Sequence, residues 1–260
     1  TRNVYIRPTV ELLPGDQYFE QFEGGRGGWE PDYELRNSWT FGTPDRDVIK
    51  TAASGTGAWY TGYDKLNQEV ESSSVISPCF DFSEIERPMI RLQLWKRFET
   101  NRDGAALQYK IGDSGSWEYV GDFDDGINWY NSTIIKGRPG GGQVGWTSKG
   151  TPETKWSEAS HKLEELTGKR NVKFRLAYGS DGSSVDNDGI AFDDIWVGER
   201  TRYVLLEHFT NTSSSLSSDA TEMVNEVALR DTADVINIQY HTNFPGQDPY
   251  YDDNPGDTGA

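Results

Sequence analysis

The sequence predicts a mainly β protein, a jelly-roll β-sandwich followed by a partial α/β unit. Short segments with alternating apolar residues recur between turns over most of the chain. Glycine (28 residues) and proline (11) supply the turns, and aromatic residues (13%) supply much of the core. After Arg200 the pattern changes to strand, helix and strand, which is typical of a parallel sheet.

The first strands are short. Residues 1–16 are extended, because Pro8 and Pro14 prevent a helix, and we interpret them as a linker or an added edge strand. The domain that follows spans residues 17–199. Its first short strands are predicted at residues 18–22, 37–42, 58–61 and 74–77.

The most regular alternation lies at residues 89–98, with Ile90, Leu92 and Leu94 on one face and Arg91 on the other. This pattern predicts a half-buried strand. The remaining elements are a hairpin of residues 106–111 and 117–121, a short helical fragment at 163–166, and two closing strands at 172–177 and 190–197.

Two adjacent carboxylates, Asp193 and Asp194, interrupt the last strand. A buried charge is paired, protonated or bound to a metal ion. Glu23 follows the first strand, and the first and last strands of a jelly roll are commonly neighbours. We therefore predict that Glu23, Asp193 and Asp194 bind a structural Ca²⁺ ion, with backbone carbonyls completing its shell. In the alternative, one aspartate faces solvent and the other caps a turn through backbone N–H groups.

Other site chemistries have little support in the sequence. An EF-hand at residues 184–195 fails, because Ile195 occupies the position of the bidentate glutamate. His161, His208 and His241 lack metal-ligand spacing, and no nucleophile elbow or P-loop is present. Nothing singles out a carboxylate pair for glycosidase chemistry. We predict no catalytic residue.

Four aromatic residues, Trp117, Trp129, Tyr130 and Trp146, have two interpretations. They form a sugar-stacking platform, or they are core residues, which is the commoner case in a chain with few aliphatic residues. The single cysteine, Cys79, excludes an intrachain disulfide and is interpreted as a small buried hydrophobe.

The formal net charge of -17 argues against a nucleic-acid partner, since affinity for phosphate comes from Lys and Arg. No apolar run approaches the ~20 residues that a membrane span needs. The first residues lack a signal-peptide pattern, so the chain is cytosolic or begins after processing.

The C-terminal part, residues 200–260, predicts a β-α-β unit. A nearly continuous apolar strand at residues 203–209 precedes a serine-rich loop and a helix over 220–230, with Asp219 and Glu222 as its capping box. A strand at 235–240 follows. A two-stranded unit is marginally stable alone, so we expect a fragment, or an end that docks on the sandwich or on a partner.

Several motifs carry a family resemblance. The segments FEGGRGGW, GAWYTG, SPCFDFS, GINWYN and DGIAFDDIWVGER resemble the MAM-like jelly-roll domains of bacterial surface and secreted proteins. Those include domains that accompany immune-inhibitor-A-type metalloproteases and Bacteroidetes proteins exported by type IX secretion. The resemblance covers residues 17–199 and implies an accessory binding or adhesion module, often with a structural cation; Glu23, Asp193 and Asp194 occupy the matching positions.

Residues 200–260 resemble the N-terminal part of a thioredoxin-like domain, truncated after the second strand. The positions of the Cys-x-x-Cys pair carry Ser214 and Ser217. Hydroxyls form no disulfide, so thiol exchange is excluded at these positions and the resemblance implies the scaffold alone.

The sequence therefore predicts a non-catalytic binding or adhesion module of a bacterial cell-surface protein, located extracellularly or at the outer-membrane surface. Its expected partner is a protein or a glycan at that surface, or an outer-membrane complex. Two alternatives remain: an accessory region of a secreted, metalloprotease-type hydrolase, and a structural subunit of an outer-membrane export or motility assembly.

Overall fold

The computed structural model describes residues 7–32, 37–61, 70–149, 153–183, 188–200, 204–230 and 235–253. The chain separates into two compact units, Thr1–Arg200 and Thr201–Ala260. The first unit is a β-sandwich, and the second combines two parallel strands with a helix.

Strands dominate the described part of the first unit, which confirms the mainly β prediction. In chain order they are β1 (Thr9–Glu11), β2 (Gln17–Glu20), β3 (Glu30–Pro31), β4 (Trp39–Gly42), β5 (Ala58–Thr61), β6 (Ser72–Asp81), β7 (Pro88–Arg97), β8 (Gly104–Ile111), β9 (Glu118–Tyr119), β10 (Ser157–Lys162), β11 (Val172–Gly179) and β12 (Gly189–Glu199). Short 3-10 turns occur at Pro139–Gly141 and Glu164–Leu166.

These strands form two sheets. The first has the order β1-β6-β11-β8-β9, with β3 also paired to β6, and the second has the order β10-β7-β12-β5-β4, with β2 also paired to β12. The long strands alternate between the sheets along the chain, a connection pattern typical of a jelly roll. Strand β1 pairs with β6 at a sheet edge, so residues 9–11 form the edge strand rather than the linker.

The core is rich in aromatic rings. The Phe192 ring centroid lies 5.3 Å from that of Trp29, 5.5 Å from Trp39 and 5.7 Å from Phe22. Rings in this distance range add favourable electrostatic contact to the burial of their large apolar surfaces. Such a cluster lets a chain with few aliphatic residues fill the space between its sheets.

A second aromatic cluster confirms the core interpretation of three of the four aromatics considered above. Trp129, Tyr130 and Trp146 are buried, and their ring centroids lie 4.7–5.3 Å apart. Each polar atom has a partner: for example, Tyr130 Oη donates to the Leu107 carbonyl. Cys79 is also buried, as predicted.

Strand β12 changes the face that it presents partway along its length. Before the change Phe192 points into the core, and after it Ile195 and Val197 do. In the pairing with β7, Asp193 lies opposite Gln93 and Trp196 opposite Arg91, so between these pairs two residues of β12 match one of β7. The extra residue is a β-bulge, in which Asp194 adopts a left-handed conformation (φ 47°) that aspartate tolerates. The bulge places Trp196 on the outer face of the sheet.

The second unit has the predicted β-α-β order. Its elements are β13 (Val204–Thr210), α1 (Ser215–Arg230), β14 (Val235–His241) and the short helix α2 (Pro249–Asp253), with β13 and β14 parallel. Its relation to a thioredoxin-like domain stays a prediction.

The capping box predicted at Asp219 and Glu222 is wrong, because α1 begins earlier, at Ser215, and both residues lie inside the helix. Instead, Ser214 Oγ accepts a hydrogen bond from the backbone N–H of Ser217. The serine-rich segment is thus the cap and first turn of the helix, since serine is favourable at an N-cap.

Candidate functional site

The outer face of the second sheet carries an open row of side chains. The strand register places Phe19 of β2 opposite Trp196 of β12, and Trp196 opposite Arg91 of β7. Phe19 is 49% exposed, and the other two side chains are half-buried. Because three neighbouring strands supply one residue each, the spacing of the row is set by the sheet itself.

The row lies in a groove of about 330 Å³, a volume within the usual range of small-ligand sites. We call it the Trp196 groove. Its lining consists of Gln17, Phe19, Arg91, Gln93, Glu158, Asp194 and Trp196. The groove therefore combines two aromatic rings with amide, carboxylate and guanidinium groups.

Two contacts hold the Trp196 ring. The indole Nε1–H donates to Gln17 Oε1 at 2.5 Å, and the Arg91 guanidinium carbon lies 4.4 Å from the ring centroid. The second contact is a cation–π interaction, which stabilises both side chains in their stacked orientation. The ring is thus oriented before any ligand arrives.

Arg91 has no other partner within the part of the chain that the structure describes: neither a hydrogen bond nor an ion pair engages its guanidinium. The chain holds 42 acidic and 25 basic residues, so an arginine without a carboxylate partner is unexpected. The guanidinium carries five N–H donors in a planar fork. Those donors are available to a ligand in the groove.

Beside the groove, Asp193 is buried beneath the loop of residues 53–57. Its Oδ2 accepts hydrogen bonds from the backbone N–H groups of Ala53 (2.9 Å) and Ser54 (3.2 Å), and its Oδ1 accepts one from Asp194 N–H (2.8 Å). Removal from water disfavours the charged form and raises the pKa of Asp193 to about 7, although the three amide donors oppose this shift.

The other two predicted ligands contact the same loop. Asp194 Oδ1 accepts a hydrogen bond from Ser54 Oγ at 2.6 Å. Glu23 Oε1 accepts from the backbone N–H groups of Thr56 (2.7 Å) and Gly57 (2.8 Å), and these hydrogen bonds lower the pKa of Glu23. Residues 23, 193 and 194, distant in sequence, therefore converge on one five-residue loop.

This convergence does not by itself make a metal site. Among the residues that the structure describes, no group of three or more His, Cys, Asp or Glu side chains is arranged to hold a metal ion. Asp193 and Glu23 direct their oxygens at backbone amides, which is the turn-capping role considered as the alternative for an aspartate. Calcium at Glu23, Asp193 and Asp194 stays a prediction.

The groove residues Phe19, Arg91 and Trp196 were missed as a site by the sequence reasoning. Counting by twos from Phe192 places Trp196 in the core, and the bulge at Asp194 reverses that assignment. The available signal was the acidic pair itself, since aspartate is one of the few residue types that tolerate the left-handed conformation seen at Asp194.

A second cavity of about 520 Å³ lies in the same unit, lined among others by Lys96, Asn128, Trp129 and Glu153. Its buried cation, Lys96, forms an ion pair with Glu153 at 3.0 Å. The charge of Lys96 is therefore already compensated within the protein, unlike that of Arg91. Elsewhere in the described residues, no helix has both the length and the apolar character of a membrane span.

Comparisons with known proteins give distant similarities. A scan against protein-family models finds no match, and neither does a search of the curated proteins. Among solved structures, the chain is similar to the K1 cleaved adhesin domain of Lys-gingipain from Porphyromonas gingivalis W83, with 14% identity and a TM-score of 0.42, over 72% of this chain and 100% of that one.

Two further solved structures are similar over about the same extent. The K3 cleaved adhesin domain of the same gingipain has 11% identity and a TM-score of 0.45, over 70% of this chain and 98% of that one. The module CBM27-1 of Caldicellulosiruptor saccharolyticus, solved with mannohexaose, has 12% identity and a TM-score of 0.39, over 70% and 97%. Because these TM-scores lie below 0.5, we infer neither family nor ligand from them.

Proposed function

We propose that this chain is a non-catalytic binding module that holds a glycan in the Trp196 groove. One observation carries the proposal: Phe19 and Trp196 are opposite each other in the pairing of two neighbouring strands, and both side chains line one open groove on the outer sheet face. The apolar face of a sugar ring packs well on aromatic rings, because both lose water-exposed apolar surface.

The polar lining supports the same ligand class. Glu158 of β10 lies opposite Gln93 of β7 on the outer face, and Arg91 stands two residues from Gln93 on the same strand. These groups supply donors and acceptors for sugar hydroxyls, which otherwise lose their hydrogen bonds to water. Because they stand on strands, the site needs little ordering when it binds.

We place this module at the bacterial surface, in keeping with the resemblance to MAM-like domains. A role as accessory region of a secreted hydrolase leaves the groove unchanged and adds a catalytic domain elsewhere in the gene product. A role in an outer-membrane assembly instead predicts copurification with membrane partners.

The test is a glycan array probed with the 260-residue chain, followed by calorimetry on the best binder. We expect binding to at least one class of oligosaccharide, lost in a Phe19→Ala/Trp196→Ala double variant with an unchanged melting temperature. If no glycan binds, or if the double variant binds as well as the parent chain, the proposal is wrong.

Calcium at Glu23, Asp193 and Asp194 is a separate proposal. The convergence of the three carboxylates on residues 53–57 supports it, and the amide donors that already contact Glu23 and Asp193 argue against it. Thermal denaturation of the chain with chelator, and then with added calcium, tests this calcium proposal. The proposal expects a lower Tm that calcium restores; an unchanged Tm leaves the backbone amides as the neutralising groups.

A further inference from the structure

We infer that the Trp196 groove selects a glycan that contains a carboxylated sugar, with the sugar carboxylate bound by Arg91. This inference rests on the proposed glycan-binding function and narrows its ligand class. It comes from the state of Arg91, whose guanidinium is oriented by stacking on Trp196 and yet has no acceptor among the described residues.

The geometry of the guanidinium favours a planar anion. The contact with the indole, 4.4 Å from guanidinium carbon to ring centroid, positions the fork, and none of its N–H groups donates to another residue that the structure describes. A carboxylate accepts two parallel N–H bonds from such a fork, and charge-assisted bonds of this kind are roughly twice as strong as neutral ones. A sugar hydroxyl engages the fork through a single weaker bond.

The charges around the groove limit how many carboxylates it accepts. Arg91 is the one cation among the seven described residues that line it, and Glu158 and Asp194 are anions. Asp194 is held by Ser54, so it does not turn toward Arg91. One sugar carboxylate is attracted by Arg91, and a second one nearby is repelled by the acidic lining. The expected ligand thus has acidic sugars separated by neutral ones.

The other sheet provides a matched control, Arg175. Its guanidinium carbon also lies 4.4 Å from an indole centroid, that of Trp117. However, Arg175 Nε donates to Gln108 Oε1 at 2.8 Å, and the Gln108 amide donates to the Gly140 carbonyl at 3.2 Å. Replacing Arg175 therefore removes a guanidinium that is already hydrogen-bonded within the protein, on a surface away from the groove.

The experiment compares carboxylated oligosaccharides with their own methyl esters, which keep the rings and hydroxyls and lose the charge. The probes are hyaluronan hexasaccharide, a xylo-oligosaccharide with one glucuronic acid branch, and sialyllactose. We expect at least one acid to bind the parent chain ten or more times more tightly than its ester. Arg91→Gln should abolish that ratio, Arg91→Lys should reduce it, and Arg175→Gln should preserve it.

The outcomes separate this inference from the proposed function. Equal affinity for acid and ester, or a ratio that survives Arg91→Gln, overturns the carboxylate inference and leaves glycan binding in place. If only neutral oligosaccharides bind, the carboxylate inference is likewise wrong and the proposed glycan binding is kept. If every oligosaccharide fails and poly-glutamate peptide binds through Arg91, the ligand is an acidic protein segment, and both proposals are wrong. Equal melting temperatures of the three variants exclude unfolding as the cause.

Discussion

Two arginine–tryptophan pairs lie on opposite outer faces of the sandwich, with the same 4.4 Å separation and different surroundings. Arg175 and Trp117 lie on the face where the turn Pro139–Gly141 is tied down, since Tyr119 Oη donates to the Pro139 carbonyl. Arg91 and Trp196 instead line an open groove. The stacking contact alone therefore does not define a site; what distinguishes the second pair is the open groove and a guanidinium that has no acceptor among the described residues.

The two faces also differ in where the strand pairing is irregular. Strands β8 and β11 pair without interruption from Val172 to Gly179, and the register shift beside Arg175 has its extra residue in the neighbouring strand β6. In the other sheet the bulge lies in β12 itself, at Asp194, beside the anchored loop 53–57. The bulge determines that Trp196 faces outward. Changes at the bulge should therefore affect one pair and leave the other intact.

The largest expected effect comes from Asp193→Ala, measured at pH 5. The substitution leaves the N–H groups of Ala53 and Ser54 without their acceptor and opens a void beneath the loop. We expect a loss of about 3 kcal/mol in the free energy of unfolding and a fall of about 8 °C in Tm. Asp113→Asn, at an exposed aspartate, should change Tm little. An equal fall in both variants contradicts the anchoring role of Asp193.

The second prediction concerns the pH dependence of that loss. The folded chain holds the proton of Asp193 up to about pH 7, whereas the unfolded chain loses it near the ordinary value of 3.8. The raised pKa therefore contributes its full stabilisation of the folded state below about pH 3.8, and this stabilisation is lost as the pH rises from there through about 7. The stability difference between parent and Asp193→Ala should shrink by about 2 kcal/mol from pH 5 to pH 8.

Urea denaturation at pH 5, 6, 7 and 8, with chelator present throughout, measures this difference. Parallel pH profiles for the two proteins would mean that Asp193 stays ionised in the folded state, with its amide donors outweighing its burial.

A direct contrast of the two pairs is the third prediction. Trp196→Ala removes the stacking surface of the groove and should weaken glycan binding at least tenfold, about 1.4 kcal/mol. Trp117→Ala removes an indole with an equivalent arginine contact and should change affinity less than twofold. Calorimetry with the glycan identified on the array measures both. Comparable losses in the two variants would show that the groove is not the site.

The smallest effect on glycan affinity is expected for Phe19→Ala, which removes the phenyl ring that lines the groove from strand β2. Phe19 belongs to a short strand and is half exposed, so its loss should weaken binding about threefold, below 1 kcal/mol. Phe123→Ala is its control, since Phe123 is 47% exposed and does not line the groove. Equal affinities for both variants would restrict the platform to Trp196.

Much of the fold was predictable because the alternation of apolar and polar residues that marks a strand can be recognised within a short segment of sequence. The predicted strand at residues 89–98 differs from Pro88–Arg97 by one residue at each end, since a regular apolar period marks it. Strand β10, Ser157–Lys162, was not predicted, because Ala159 is its one apolar residue. Helix α1 was predicted too short, because its first turn consists largely of serines.

The site was less predictable because it depends on pairing. Phe19, Arg91 and Trp196 are separated by 72 and 105 positions in the chain, and a single sequence does not report which strands are neighbours. The acidic pair at Asp193 and Asp194 was recognised as unusual. Its relation to loop 53–57 could not be predicted, because nearly every residue has a backbone N–H group and the sequence does not indicate which of them donate to a given carboxylate.

The bulge gives β12 two counting frames. Even-numbered residues point inward up to Phe192, and odd-numbered ones do so from Ile195 onward. When this strand is aligned with one that lacks the bulge, the alignment therefore needs a one-residue gap at Asp194. Without that gap, inward-facing and outward-facing positions are exchanged in the rest of the strand. Mutagenesis libraries aimed at recognition should accordingly vary position 196 and leave 195 and 197 apolar.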